Sequence, residues 1–391
     1  MNNNLLHTEV QNFIDHNLKT DLPTLVLKGS PFEDLSIKEL ANQVLCKSKC
    51  ESKLPTWYQA KGIYYPNPVN IEQTSSEITA HYKSTLVSGN TLIDLTGGFG
   101  VDSYFFSKRI DQVTHCEINS ELSTIARHNF KALGIHNIQC ENQDGIDLIL
   151  NSTLAYDWIY VDPSRRNDLK GKVFRLEDCL PDVTIELDHL LRCTSHIMIK
   201  LSPLMDISST INSLQYVKEV QVIAVKNEVK ELLVLVEKGY DGACNIKAVN
   251  IANGKNDCFE GKFQFRTEAT YSPPKKYLYE PNSAILKSGL FNEVSSQLNL
   301  HKLHVNSHLY TSDALKEFPG RSFEIQAVMK YNKKLIKKKF GSKKANITTR
   351  NFHESVAQIR KKTGIKEGGN DFLFFTTDME ESVVVIHCIK V

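Results

Sequence analysis

Long apolar runs are missing from this 391-residue chain: no stretch approaches the roughly 18 uninterrupted apolar residues a membrane helix needs. The opening Met1-Asn2-Asn3-Asn4-Leu5-Leu6 lacks the basic-then-apolar layout of a secretory signal. Internal repeats and low-complexity tracts are absent too, which excludes a solenoid, a fibre and a mostly disordered chain. A disulfide framework is disfavoured because the nine cysteines are odd in number and scattered. Cys46-x-x-x-Cys50 has no second Cys/His pair at zinc-finger spacing, so no metal is expected. No cysteine follows a strand in the pattern expected of a C5-methylating nucleophile. Free thiols in a reducing cytoplasm are the expectation. What is present is the balance of a globular protein, 41% apolar and 24% charged, long enough for two to four domains.

The first 60 residues read as helical. Leu5, Leu6, Val10, Phe13, Ile14 and Leu18 keep helical spacing, and Ser36-Ile37-Lys38-Glu39 is a capping box opening a helix to about Cys50. From Thr85 the texture changes to short β-rich runs, at 91–95, 113–117, 138–140, 158–161, 196–201, 221–225 and 232–236. Amphipathic segments lie between them at 101–108, 119–132, 144–151, 181–193 and 206–214, which predicts a parallel sheet covered by helices. The last two runs are separated by only 226–231, too short for a parallel crossover, so they form an antiparallel hairpin. Asn253-Gly254 predicts a second hairpin joining 245–251 to 259–265. From Phe323 a β-α-β-α-β-β string predicts a small α+β domain. The expected division is a helical region at 1–69, an α/β domain at 70–240, a β-hairpin connector at 241–274 and small domains at 275–320 and 321–391.

The strongest local signal is Asp94-Leu95-Thr96-Gly97-Gly98-Phe99-Gly100-Val101-Asp102, between an apolar strand and a helix. Glycines at such a turn let a ligand approach the backbone. The spacing is not GxGxxG, which disfavours NAD, and no P-loop lysine follows. Instead Asp94 heads the loop, which suits a ligand carrying positive charge. Glu117 ends the second strand, where a carboxylate can accept both hydroxyls of a ribose, and Asp144 follows the third.

This set resembles the class I S-adenosylmethionine-dependent methyltransferases, whose Rossmann-like seven-stranded sheet ends in an antiparallel hairpin. The resemblance implies that Thr96, Gly97, Gly98 and Gly100 line the methionine and adenosine, that Glu117 holds the ribose and that Asp144 sits beside the adenine. Glu72-Gln73-Thr74-Ser75-Ser76-Glu77 is similar to a segment that closes over the methionine end, which implicates Gln73 and Ser76. Asp162-Pro163-Ser164-Arg165-Arg166 follows the fourth strand, and by the same likeness Asp162 faces the transferred methyl. Base N-methylating members usually carry Asp/Asn-Pro-Pro-aromatic here, whereas this chain has Ser164 and Arg165. Arg165 and Arg166 suit a phosphate or carboxylate acceptor, because a guanidinium fork binds such groups bidentately. Lys200 ends the fifth strand, and together with Lys83, Asp162 and Glu231 it resembles the Lys-Asp-Lys-Glu tetrad of ribose 2′-O-methyltransferases. The alternative for Lys200 is a structural salt bridge with Glu231.

Charge is uneven along the chain. The net charge is +2, yet residues 321–391 carry 15 basic and 7 acidic side chains, and 330–366 carry 13 basic side chains against Glu354 alone. A solvated lysine-rich face would explain the cluster, but self-repulsion favours an anionic partner. Lys333, Lys334, Lys337, Lys338, Lys339, Lys343, Lys344 and Arg350 are the expected RNA contacts. The chain as a whole is similar to bacterial class I methyltransferases with a C-terminal THUMP-like domain. Tyr279-Glu280-Pro281-Asn282 and Ala345-Asn346-Ile347-Thr348-Thr349-Arg350-Asn351-Phe352 add to that likeness, which implies a ferredoxin-like segment at 275–320 and RNA, tRNA or rRNA, as partner. The expected function is therefore methyl transfer to RNA from S-adenosylmethionine, with Asp162, Arg165, Arg166 and Lys200 orienting the acceptor. Two alternatives stay open. A protein or small-molecule methyltransferase would show salt-insensitive activity, and a vestigial RNA-binding protein would bind RNA without cofactor.

Overall fold

The structure is a computed structural model that describes residues 1–152, 154–165 and 175–391, with Arg165 described for its backbone only. The chain divides into two compact units, Met1–Glu219 with Leu232–Gly242, and Val220–Glu231 with Ala243–Val391.

In the first unit the expected capping box forms: Ser36 Oγ accepts from the Glu39 amide while the Glu39 carboxylate accepts from the Ser36 amide, opening the helix Ile37–Lys53. Leu40, Val44 and Cys50 on that helix share one apolar core with Val10 and Ile14, and with Phe99 and Phe130 of the α/β layer. The helical start of the chain is thus built onto the sheet domain.

The sheet begins with β1 (Thr91–Asp94), β2 (Gln112–Cys116), β3 (Ile138–Glu141), β4 (Trp158–Val161) and β5 (His196–Leu201), all parallel. A hairpin of β6 (Val217–Val225) and β7 (Glu228–Glu237) follows, and β7 lies antiparallel on β5. The order is β3-β2-β1-β4-β5-β7-β6. The order of strand addition reverses between β1 and β4, and ligands of open α/β sheets bind at the carboxyl ends of strands beside such a switch. The sheet does not stop at the seven expected strands. In the second unit β8 (Asn245–Ala252) and β9 (Lys255–Lys262) extend it beside β6, making nine. Within that unit the Lys226 amide donates to Ile251 O at 2.9 Å, so the predicted connector hairpin covers what would be an open edge.

The second unit also holds an eight-stranded sheet. Its strands β10 (Tyr277–Pro281), β11 (Tyr310–Ser312), β12 (Gly320–Lys330), β13 (Asn346–Arg350), β14 (Asp371–Thr377) and β15 (Val383–Lys390) run in the order β11-β10-β12-β15-β14-β13, with two short strands beyond β11. The predicted β-α-β-α-β-β string is realised by β12 to β15 with the helices Lys333–Phe340 and Val356–Thr363. The segments expected as two small domains share this one sheet, because β10 pairs with β12. Among the described residues no helix is long and apolar enough to cross a membrane.

Candidate active site

The carboxyl ends of β1, β2 and β4 bring together the residues that the glycine motif singled out. Gly98 and Gly100 take φ of +57° and +87°, a region costly for side chains with a Cβ. A Cβ on Gly97 would lie 2.3 Å from the His115 ring, and one on Gly100 would lie 2.4 Å from Phe130. The turn therefore packs flat on β2 and its helix. Burial pushes the His115 imidazole down to about 4, so it is neutral packing beneath the loop.

Asp94 is buried at the end of β1. One carboxylate oxygen accepts from the Thr96 amide at 3.1 Å, the other from Ser103 Oγ at 2.6 Å. Burial, with the neighbouring Asp102 and Asp162 carboxylates, pushes Asp94 up to about 7 against the Ser103 hydrogen bond. Glu117, at the end of β2, accepts from the Gly98 amide at 2.9 Å and the Asn119 amide at 2.7 Å, which fixes it beside the loop. Thr96 Oγ1 accepts from the Asp162 amide at 2.7 Å and joins the loop to the end of β4. Asp144 is exposed and caps the helix Gly145–Leu150 through the Ile146 amide.

Asp162 is paired with Lys200 from the end of β5. Lys83 goes elsewhere. It is fully buried, 2.9 Å from Asp102 Oδ1, and its ammonium donates to Ser75 Oγ at 2.8 Å. Ser75 and the Tyr160 hydroxyl each donate to Asp102 Oδ2 at 2.8 Å. Burial works to raise the Asp102 carboxyl, but the ammoniums of Lys83 and Lys200 and these hydrogen bonds outweigh it and hold it below the usual range. Of the tetrad residues, Lys200 pairs with Asp162, whereas Lys83 pairs with Asp102, a residue outside that resemblance.

Within 72–77, Glu72 pairs with Lys49, Glu77 accepts from the Thr56 amide at 2.6 Å, and Ser76 caps the helix Glu77–Ser84. Gln73 is exposed at the end of the helix Pro68–Gln73. Sequence reasoning passed over Ser75, Ser103 and Tyr160. A serine and a tyrosine carry no signal until folding points them at a buried carboxylate. Arg166 lies outside the described residues.

In the second unit Lys333, Lys334, Lys337, Lys338 and Lys339 are exposed on one helix, and Lys343 and Lys344 are exposed after it. Arg350 is not free with them. It pairs with the buried Glu280, which also pairs with Arg321. Among the described residues no group of His, Cys, Asp and Glu is arranged to hold a metal ion.

Comparison with known proteins adds three findings. Residues 277–319 match the model of a ferredoxin-like domain, and residues 320–390 that of a THUMP-like domain. The chain is similar along 99% of its length to a protein of Porphyromonas gingivalis W83 whose crystal structure was reported as that of a proposed methyltransferase. That likeness has 30% identity, 98% coverage of the other chain and a TM-score of 0.87. An uncharacterized S-adenosylmethionine-dependent methyltransferase of Mycobacterium tuberculosis H37Rv is 20% identical over 268 residues, 68% of this chain and 71% of the relative.

Proposed function

The chain belongs to the methyltransferase family represented by the Porphyromonas gingivalis protein, and from that membership we propose that it methylates RNA using S-adenosylmethionine. The observation that carries the cofactor is the turn after β1. Gly97 and Gly100 leave no room for a Cβ, a buried Asp94 stands behind the turn, and Glu117 stands at the end of the next strand. That donor set fits the group: carboxylates for a cationic methionine end and a diol, and bare backbone for close approach. When bound, S-adenosylmethionine supplies an electrophilic methyl on its sulfonium. In this reading the chain's own groups do the positioning. Glu117 receives the ribose hydroxyls, and Thr96, Gly97, Gly98 and Gly100 form the floor. Gln73, Ser76 and Asp144 stand at the margins.

Asp162, steadied by Lys200 and by its amide bond to Thr96, faces the acceptor. Arg165 and Arg166 follow it in sequence and would receive a phosphate of the acceptor. Methyl transfer by in-line displacement gains most from holding nucleophile and electrophile aligned, so the pair acts chiefly by orientation. The reading of RNA as acceptor is supported by the exposed lysines of 333–344 in the THUMP-like domain. Such contacts grip phosphates and set register without reading sequence.

The test is calorimetric titration with S-adenosylhomocysteine, followed by tritiated methyl transfer to total bacterial RNA. Binding with label in a discrete RNA band is the expected result. Binding with label only in protein or small molecules would overturn the RNA acceptor and keep the cofactor site. No binding would overturn both.

A further inference from the structure

Tyr279-Glu280-Pro281-Asn282 is not used in the reading above, and it surrounds a built ionic site in the second unit. Tyr279 donates or accepts with Ser312 Oγ at 2.9 Å, and Asn282 caps the helix Ser283–Ser288. Between them Glu280 is buried, with both carboxylate oxygens spent on arginine. Arg321, opposite it in the β10–β12 register, donates to Oε2 through Nε at 2.8 Å and through Nη2. Arg350, ending β13, donates to Oε1 through Nη2 at 2.9 Å. Gly320 permits this convergence, since a Cβ there would sit 2.2 Å from the Glu280 carbonyl oxygen.

We infer that Arg321 and Arg350, held by the buried Glu280 carboxylate, form a preset fork for a phosphodiester of the RNA backbone. The inference rests on the RNA reading above. One bidentate arginine is enough to neutralise Glu280, and the second leaves a surplus positive charge. Both side chains stay partly open to water, at 40% and 34% exposure. A guanidinium has five N–H donors, so each keeps donors unspent on the carboxylate. Anchoring removes rotamer freedom before the ligand arrives, so less entropy is lost on binding. The lysine helix supplies mobile point charges, and the arginine fork supplies a fixed planar contact.

The experiment is fluorescence-anisotropy titration of the full chain with labelled bulk bacterial tRNA over a series of KCl concentrations. Wild type is compared with Arg321→Lys, Arg321→Ala and a Lys337→Glu/Lys338→Glu variant. S-adenosylhomocysteine titration and thermal melting report folding. Arg321→Lys keeps the charge but loses the fork, and the expected result is roughly fivefold weaker binding. Arg321→Ala should also lower the slope of log K against log salt by about 0.7 to 0.9, the value of one phosphate contact. RNA affinity of Arg321→Lys equal to wild type, with the lysine variant impaired, would overturn the fork and leave the RNA reading standing. Wild type that binds S-adenosylhomocysteine but no RNA would overturn both.

Discussion

Asp94 is the buried carboxylate at the end of β1 on which the proposed cofactor site turns. Its carboxyl is pushed to about 7 by burial and by Asp102 and Asp162, while an unfolded aspartate ionises near 3.8. The folded state therefore holds this proton over a window where the unfolded state has lost it. The stability it contributes is full below about 4 and is lost as pH rises through 7. A cationic ligand favours the ionised form. Cofactor affinity should therefore rise from pH 6 to pH 8 with proton release, and Asp94→Asn should flatten both the affinity profile and the melting profile across that window. Calorimetry in buffers of different ionisation enthalpy measures the proton directly. Lys83 makes a second prediction at this scale. Lys83→Met leaves Asp102 buried without its counter-charge and should cost about 3 to 5 kcal/mol, as removal of one partner of a buried pair does. Adding Asp102→Asn should recover part of the loss, and a denaturant double-mutant cycle reads the coupling.

The helix Lys333–Phe340 sets the proposed RNA contact against the local preferences of a helix. Ile336 and Phe340 are buried, which fastens the helix, while five lysines face water and Lys333 and Lys334 stand in its first turn. Cations at that end oppose the helix dipole, and no acid in the first turn offsets them. Replacing Lys333 and Lys334 with glutamate should therefore leave the fold intact or slightly stabilise it. The same change should weaken RNA binding more than tenfold and reduce its salt dependence. Melting and anisotropy on one preparation separate the two effects. A stabilised variant that binds RNA normally would assign the cluster to a solvated face.

At the level of the whole molecule, methyltransferase and THUMP-like parts carry different chemistry, and their ligands should be separable by salt. S-adenosylhomocysteine at a hundredfold over its Kd should stabilise the native chain by about 2.7 kcal/mol, visible as a higher melting temperature. This shift should change little between low and high KCl because binding a small ligand releases few counterions. RNA-dependent stabilisation should fall steeply over the same range through counterion release. Equal salt sensitivity of the two would count against separate sites.

Much of this was legible in the chain. Period and spacing carried the strand–helix alternation, the terminal hairpin and the β-α-β-α-β-β string, because these depend on local patterning and on connection length. Asp94, Glu117 and Asp162 could be read because each directly follows or ends an apolar run, where a carboxylate has no packing role. Tertiary structure decided the rest. The 245–262 hairpin is a local signal, and only folding showed that it extends the sheet from seven strands to nine. Lys83 was legible as a charge but not as the partner of Asp102, and Ser75, Ser103 and Tyr160 were not legible at all. Arg350 counted as one more basic residue until it met Glu280, 70 positions away. Sequence patterning specifies elements and the residues at their ends. The pairing of buried charges depends on which ends meet across the sheet, since desolvation penalises any buried charge whose partner lies elsewhere.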